Sequence, residues 1–156
     1  MSLAWVFLLM SSVALGTGCM KNVTTDSRYH VGFVPGETYE FTRDMWLCTD
    51  PDTDPPKHFV IVPSNYGRAN RAASKESLAA GCRVTIHELW FETTLMLKDV
   101  YRVVVPYGLL VDAPNEGTRV DLREVSVYNW EADTDAGAAI FTPGDLLRLC
   151  SSDAAP

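Results

Sequence analysis

Apolar residues along this chain recur mainly at alternate positions, the period of a half-buried β-strand. Tyr39, Phe41, Met45 and Leu47 keep that spacing within YEFTRDMWLC. Val84 and Ile86 repeat it, Leu89, Phe91, Leu95 and Leu97 follow, and Val103 to Val105 form a β-branched run before Pro106. Turn signals punctuate these runs at Pro35-Gly36, Tyr107-Gly108, Pro114-Asn115-Glu116-Gly117 and Pro143-Gly144. Helical signals are confined to NRAASKESLAA, Asn70 to Ala80, closed by Gly81 in the position of a left-handed cap. The pattern predicts a mainly β fold with at most one short helix.

An internal echo sharpens that expectation. GCRVTIHELWF, from Gly81, and GTRVDLREVSV, from Gly117, begin 36 residues apart and share four identical positions. In both, the apolar phase slips by one at the glutamate, from Ile86 to Leu89 and from Leu122 to Val125. A period-2 strand absorbs such a slip only by a bulge or a sharp bend. Each copy is followed by a second apolar strand, Tyr101 to Val105 and Ala138 to Leu149, and Gly36-Glu-Thr-Tyr-Glu-Phe is a looser third start. Bent strands led by glycine turns predict a compact Greek-key or SH3-like small barrel. Arg83 with Arg119, and Glu88 with Glu124, read as solvent-facing charges whose cross-strand pairing adds roughly a few tenths of a kcal/mol.

With 156 residues, the chain is the length of one domain. Its 47% hydrophobic and 21% charged content is enough to bury a core. The net charge of −7 resides wholly after residue 20, because Met1 to Met20 contain no Asp, Glu, Lys or Arg. An acidic body argues against nucleic acid as a partner.

Leu3 to Leu15 (LAWVFLLMSSVAL) is an apolar run of signal-peptide length, followed by Gly16, Thr17 and Gly18 directly before Cys19. This stretch resembles the signal of a small bacterial lipoprotein, in which the chain is cut before a cysteine whose sulfur carries diacylglycerol. The resemblance covers the first 19 residues and departs from the family pattern at Gly16, where the family has leucine. It implies a signal peptide over 1–18, lipidation and acylation (palmitate) at Cys19, and a membrane partner through that lipid anchor. Met20 in place of aspartate implies the bacterial outer membrane, facing the periplasm. Residues 19–35 then read as a lipidated tether, 36–150 as a single β-rich domain and 151–156 as a disordered tail. Two alternatives stay open. Cleavage after Gly16 or Gly18 would release a soluble secreted β-domain, whereas retention as a membrane span would need about 20 apolar residues.

Cys48, Cys82 and Cys150 are too widely spaced for a zinc ribbon or a Cys-x-x-Cys motif. In an oxidising compartment the expected disulfide joins Cys48 to Cys150, each closing a candidate strand. Its loop of about 100 residues would stabilise by roughly 4–5 kcal/mol. Buried unpaired thiols are the other option.

The search for chemistry yields exclusions. The chain has no Walker loop, dinucleotide fingerprint or nucleophile elbow. His87-Glu88 opens like a zincin motif, but Phe91 stands where the second histidine is needed. His30, His58 and His87 are scattered. Asp50, Asp52 and Asp54 imitate half a calcium loop, yet Pro55 replaces its glycine and Ile61 its bidentate glutamate. Glu131, Asp133 and Asp135 read as an acidic loop. No metal, cofactor or catalytic residue is therefore assigned. Trp90 and Trp130 are the candidate binding surface, since exposed aromatics suit peptide or glycan strands. The expected function is a non-enzymatic binding or structural module meeting a protein or cell-wall partner, inhibitor-like or immunity-like in one form. The alternative is an envelope hydrolase using Glu88 or Glu124 with His87.

Overall fold

A computed structural model describes residues 19–96, 99–129 and 137–150. The leader, Trp130, the acidic positions 131–135 and the 151–156 tail lie outside the described residues. Eleven strands form one sheet: β1 (Cys19–Asn22), β2 (Thr38–Phe41), β3 (Met45–Asp50), β4 (Lys57–Ile61), β5 (Ser74–Leu78), β6 (Arg83–Met96), β7 (Asp99–Leu110), β8 (Arg119–Asp121), β9 (Ser126–Asn129), β10 (Ala139–Pro143) and β11 (Leu147–Leu149). One four-residue helix, α1 (Tyr66–Ala69), accompanies them. The mainly β expectation holds.

The sheet is organised by a corner shared between two strands. β2 pairs with β6, placing Glu40 opposite Arg83, and β3 pairs with β5, placing Met45 opposite Leu78. Five residues forward on one strand thus match five residues back on the other. The register survives the bend, and Phe41 and Gly81 bridge it with an N–H to carbonyl bond of 2.8 Å. Physically, β2–β3 is one bent strand and β5–β6 is another. β6 then pairs with β7, β7 with β8, β8 in parallel with β4, and β4 with β3. The ladder closes into a ring, which is how a small β-chain removes long edges.

The alternating positions fill that ring. Tyr39, Phe41, Met45 and Leu47 are all buried, so the period-2 phase passes through the corner unbroken. Val60, Val84, Ile86, Leu89, Leu110, Val120 and Leu122 join them in one core. The phase slip at Glu88 is a β-bulge: Ile86 lies opposite Gly108 and Glu88 opposite Tyr107, leaving His87 as the extra residue. The second copy solves the same slip differently, with a 3-10 turn over Arg123–Val125. Equivalent positions nevertheless reach the core in both copies, Val84 with Val120, Ile86 with Leu122 and Leu89 with Val125. Gly81 and Gly117 both hold positive φ, +86° and +79°, a conformation that glycine adopts without steric cost.

Three expectations are corrected. Residues 70–80 do not form a helix. Their second half is β5, because pairing with β3 supplies the backbone bonds, the Thr49 and Ser74 hydroxyls meet at 2.8 Å, and Lys75 stacks on Trp46; tertiary pairing overrides weak helical propensity. Tyr107-Gly108 is not a turn but mid-β7. Pro106, which has no N–H to give, sits beside the bulge, and its carbonyl accepts from Leu122 N–H at 3.2 Å. Residues 19–35 are not a free tether either. β1 pairs with β6, Val23 N–H donates to Leu89 O at 2.9 Å, Leu89 N–H donates to Thr24 Oγ1 at 3.0 Å, and Val23 and Phe33 are buried.

Gly108 is needed for close approach. A Cβ there would lie 2.3 Å from Val84 Cγ2 and 3.3 Å from Leu122 Cδ1. Gly108→Ala is expected to destabilise the domain by about 1–3 kcal/mol through overpacking, read as a lower urea midpoint with an unchanged slope.

Candidate functional site

Residues directly opposite one another in a ladder share a face. Cys48 opposes Phe59, Phe59 opposes Asp121, Asp121 opposes Tyr107 and Tyr107 opposes Glu88. These five side chains form one row across the outside of the barrel. The Cys48 and Phe59 end is apolar, and with Ile61 and Ala69 it builds a second small core packed by Trp46 and Ala72 under α1. The Asp121 to Glu88 end is charged.

At the charged end every ionic group is engaged. Arg123 donates to both Asp121 oxygens, at 2.5–3.1 Å, and to Glu92 Oε2 at 3.2 Å. Asp121 also accepts the Arg123 backbone N–H at 2.9 Å, so its burial at 8% exposure is compensated. Arg119 donates to Glu88 Oε2 at 2.9 Å while its guanidinium covers the Tyr107 ring at 3.8 Å. Trp90 Nε1–H donates to the same Glu88 oxygen at 3.0 Å. Burial pushes the Tyr107 phenol up to about 12, so it stays protonated. Burial also raises Glu88, but the hydrogen bonds from Trp90 and Arg119 outweigh it and hold the carboxyl below its ordinary value. A carboxylate held ionised in this way is a poor proton donor, and the band behaves as a structural ion-pair network.

At the apolar end a cavity of about 300 Å³ opens between the β3–β4 loop and α1. Phe59, Arg68, Arg71 and Ala72 line it together with Asp50, Pro51 and Asp52. The Arg68 guanidinium lies 4.9 Å over the Phe59 ring and is ion-paired with Glu124. Such a cavity offers an aromatic surface with cations and carboxylates side by side, which suits a peptide segment or another group bearing both charges.

The residues singled out in the sequence are spread apart. Cys19 is exposed at the start of β1. The expected Cys48–Cys150 disulfide is not formed: both thiols are free, Cys48 lies in the small core on β3, and Cys150 follows β11, which pairs only with β2. Burial pushes the Cys48 thiol up, making it an inert packing group. Trp90 is half-buried within the Glu88 network, and Trp130 lies outside the described residues. His30 Nε2–H donates to the Thr24 carbonyl at 2.8 Å, whereas His87 is exposed on the bulge. Among the described residues no group of acidic, histidine or cysteine side chains could hold a metal ion. Sequence reasoning missed Arg68, Arg71 and Phe59, which a helix only four residues long brings to one place. No protein family, curated protein or solved structure matches the chain.

Arg119→Met should raise the Glu88 midpoint toward the ordinary 4.5 in an NMR titration. The sign follows from linkage. A depressed folded value gives stability that is complete above the ordinary value and is lost as pH falls through the folded one. Wild type should therefore lose more stability than the variant between neutral pH and acid, in urea melts at each pH.

Proposed function

We propose that this protein is a lipid-anchored protein of the bacterial envelope, fixed through Cys19 to a membrane, with the outer membrane facing the periplasm as its site. It acts there as a non-enzymatic binding module for a protein or cell-wall partner. The observation that carries this is an exposed cysteine directly after a leader of signal-peptide character. The apolar run and its small residues lead directly to Cys19, and Cys19 is exposed on edge strand β1 among the described residues. An exposed thiol at the start of a folded body is accessible to an acylating enzyme, and several acyl chains exceed the marginal hold of one.

The partner would meet the cavity lined by Phe59, Arg68 and Arg71. It lies at the β5 end of the bent β5–β6 strand, whereas Cys19 pairs with Thr93 near the other end. The hydrolase alternative has less support. Glu88 is committed to Arg119 and Trp90, Glu124 is bonded to Arg68, and neither faces the cavity as a free acid or base.

Cys19→Ala tests the anchor. In fractionated cells expressing the full chain, wild type is expected in the membrane fraction with an acylated N-terminal peptide by mass spectrometry. The variant is expected to lose both the acyl mass and the membrane association. Wild type recovered soluble and without acyl mass would end the proposal. Arg71→Glu, exposed on the cavity wall, is expected to abolish in-cell crosslinks that wild type makes, while leaving fractionation unchanged.

A further inference from the structure

We infer that the cavity lined by Phe59, Arg68 and Arg71 receives the zwitterionic head of an amino acid, an ammonium and a carboxylate borne on one carbon, with Arg71 pairing the carboxylate and Asp52 the ammonium. This rests on the reading of the cavity as the partner site and names the chemistry that the site takes.

The first observation is size. The cavity holds about 300 Å³, the bottom of the range of roughly 300–1,000 Å³ usual for small-molecule sites. One group of amino-acid dimensions fits it, and a folded partner could enter only with a side chain or a chain end.

The second observation is which charges are already engaged. The Arg68 guanidinium is bonded to Glu124 and lies 4.9 Å over the Phe59 ring. Asp50 is half-buried and uses one oxygen to accept the Asp52 N–H at 3.0 Å. Arg71 and Asp52 are both exposed, and among the described residues neither side chain has a hydrogen bond or an ion pair. One cation and one carboxylate of the cavity are therefore open, and the guanidinium fork matches a carboxylate with two parallel hydrogen bonds.

The third observation is that the backbones carrying these groups are bonded to each other. Arg71 N–H donates to the Arg68 carbonyl at 3.1 Å, so both arginines belong to one hydrogen-bonded turn. Ala73 N–H donates to the Thr49 carbonyl at 2.9 Å, which stitches that turn to the residue preceding Asp50. Thr53 Oγ1 accepts the Lys57 N–H at 2.8 Å across the neck of the β3–β4 loop. A site held in this way loses little freedom when it is filled.

The balance of charge selects the ligand. Arg68 and Arg71 are matched by Asp50 and Asp52, so the lining is neutral in a chain of net charge −7. An anion that gains from Arg71 meets the two aspartates, and an amine that gains from Asp52 meets the two arginines. A group bearing both charges pairs with each. Within a folded protein the α-amine and α-carboxyl of a residue are consumed in peptide bonds, and no carbon carries both. Free amino acids keep the pair, and so does a diaminodicarboxylic acid whose second amino-acid end projects from a cell-wall peptide.

The test titrates the full chain, expressed with its leader and purified in detergent, by calorimetry with four probes. Meso-diaminopimelate has two zwitterionic heads and alanine one, whereas pimelate has only the carboxylates and 1,5-diaminopentane only the amines. Meso-diaminopimelate is expected to bind, and pimelate and diaminopentane to bind about 10- to 100-fold more weakly, the effect of leaving a charged hydrogen-bonding partner unmet. Arg71→Gln and Asp52→Asn should each weaken meso-diaminopimelate by a similar factor, with urea midpoints unchanged because both side chains are exposed. Pimelate or diaminopentane binding as tightly as meso-diaminopimelate would overturn the inference, as would unchanged binding by Asp52→Asn. Alanine binding equally well sustains it with free amino acids as the source. Preference for meso-diaminopimelate, with wild type but not Arg71→Gln cosedimenting with purified cell-wall sacculi, sustains it with the wall as the source. If no probe binds while Arg71→Glu still removes the in-cell crosslinks, the inference falls and the partner site stands. If the crosslinks also persist, both fall.

Discussion

The fold depends on one constraint: two strands must turn the same corner without losing register. If β2–β3 and β5–β6 bent at different residues, Met45 would no longer face Leu78 when Glu40 faces Arg83, and every alternating side chain beyond the corner would change sides. The shared bend keeps Tyr39, Phe41, Met45 and Leu47 on one face, and that face is the barrel interior. Gly81 supports it with a positive φ at the turning point. Closure through β7, β8 and β4 follows from this alignment, because β3 then reaches β4 while β6 reaches β7.

Once the ring is closed, its outside surface is divided by chemistry. One half of a single side-chain row is apolar and needs cover, which α1 and Ala72 provide. The other half is ionic and is self-contained, with Arg119 and Arg123 answering Glu88, Glu92 and Asp121. Exposed pairs contribute about 0–1 kcal/mol singly, and those with a buried partner such as Asp121 must also offset desolvation. Their greater effect here is to occupy the carboxylates, which moves the interest of the surface away from acid–base chemistry and toward the cavity at the apolar end.

Much of this was legible in the chain. Alternation gave the strands, and the slip at Glu88 called for a bulge or a bend, which the structure realises as a bulge at His87. The matching slip at Glu124 carried no information about its solution as a 3-10 turn, since either device satisfies the same burial. The 70–80 segment misled because Ala, Arg, Lys, Glu and Leu favour helices locally, while its strand pairing partner stands 25 or more residues away, Thr49 against Ser74. Tyr107-Gly108 misled for a related reason: glycine marked a close crossing with Val84 rather than a reversal. The cavity was invisible, because Asp50, Phe59 and Arg68 meet only after β3, β4 and α1 have packed.

Closing the ring also determines where this protein is vulnerable to foreign strands. Among the described residues, β1, β5, β9 and β11 pair on one side only, and none is longer than five residues. Lys21, Lys75 with Glu76, and Arg148 place charge on three of these edges, the usual deterrent to unwanted strand addition. β9 alone, Ser126-Val-Tyr-Asn129, has none, and its Val127 is 54% exposed. Among the described residues, β9 is therefore the edge on which an added strand would meet no charged side chain of the strand itself.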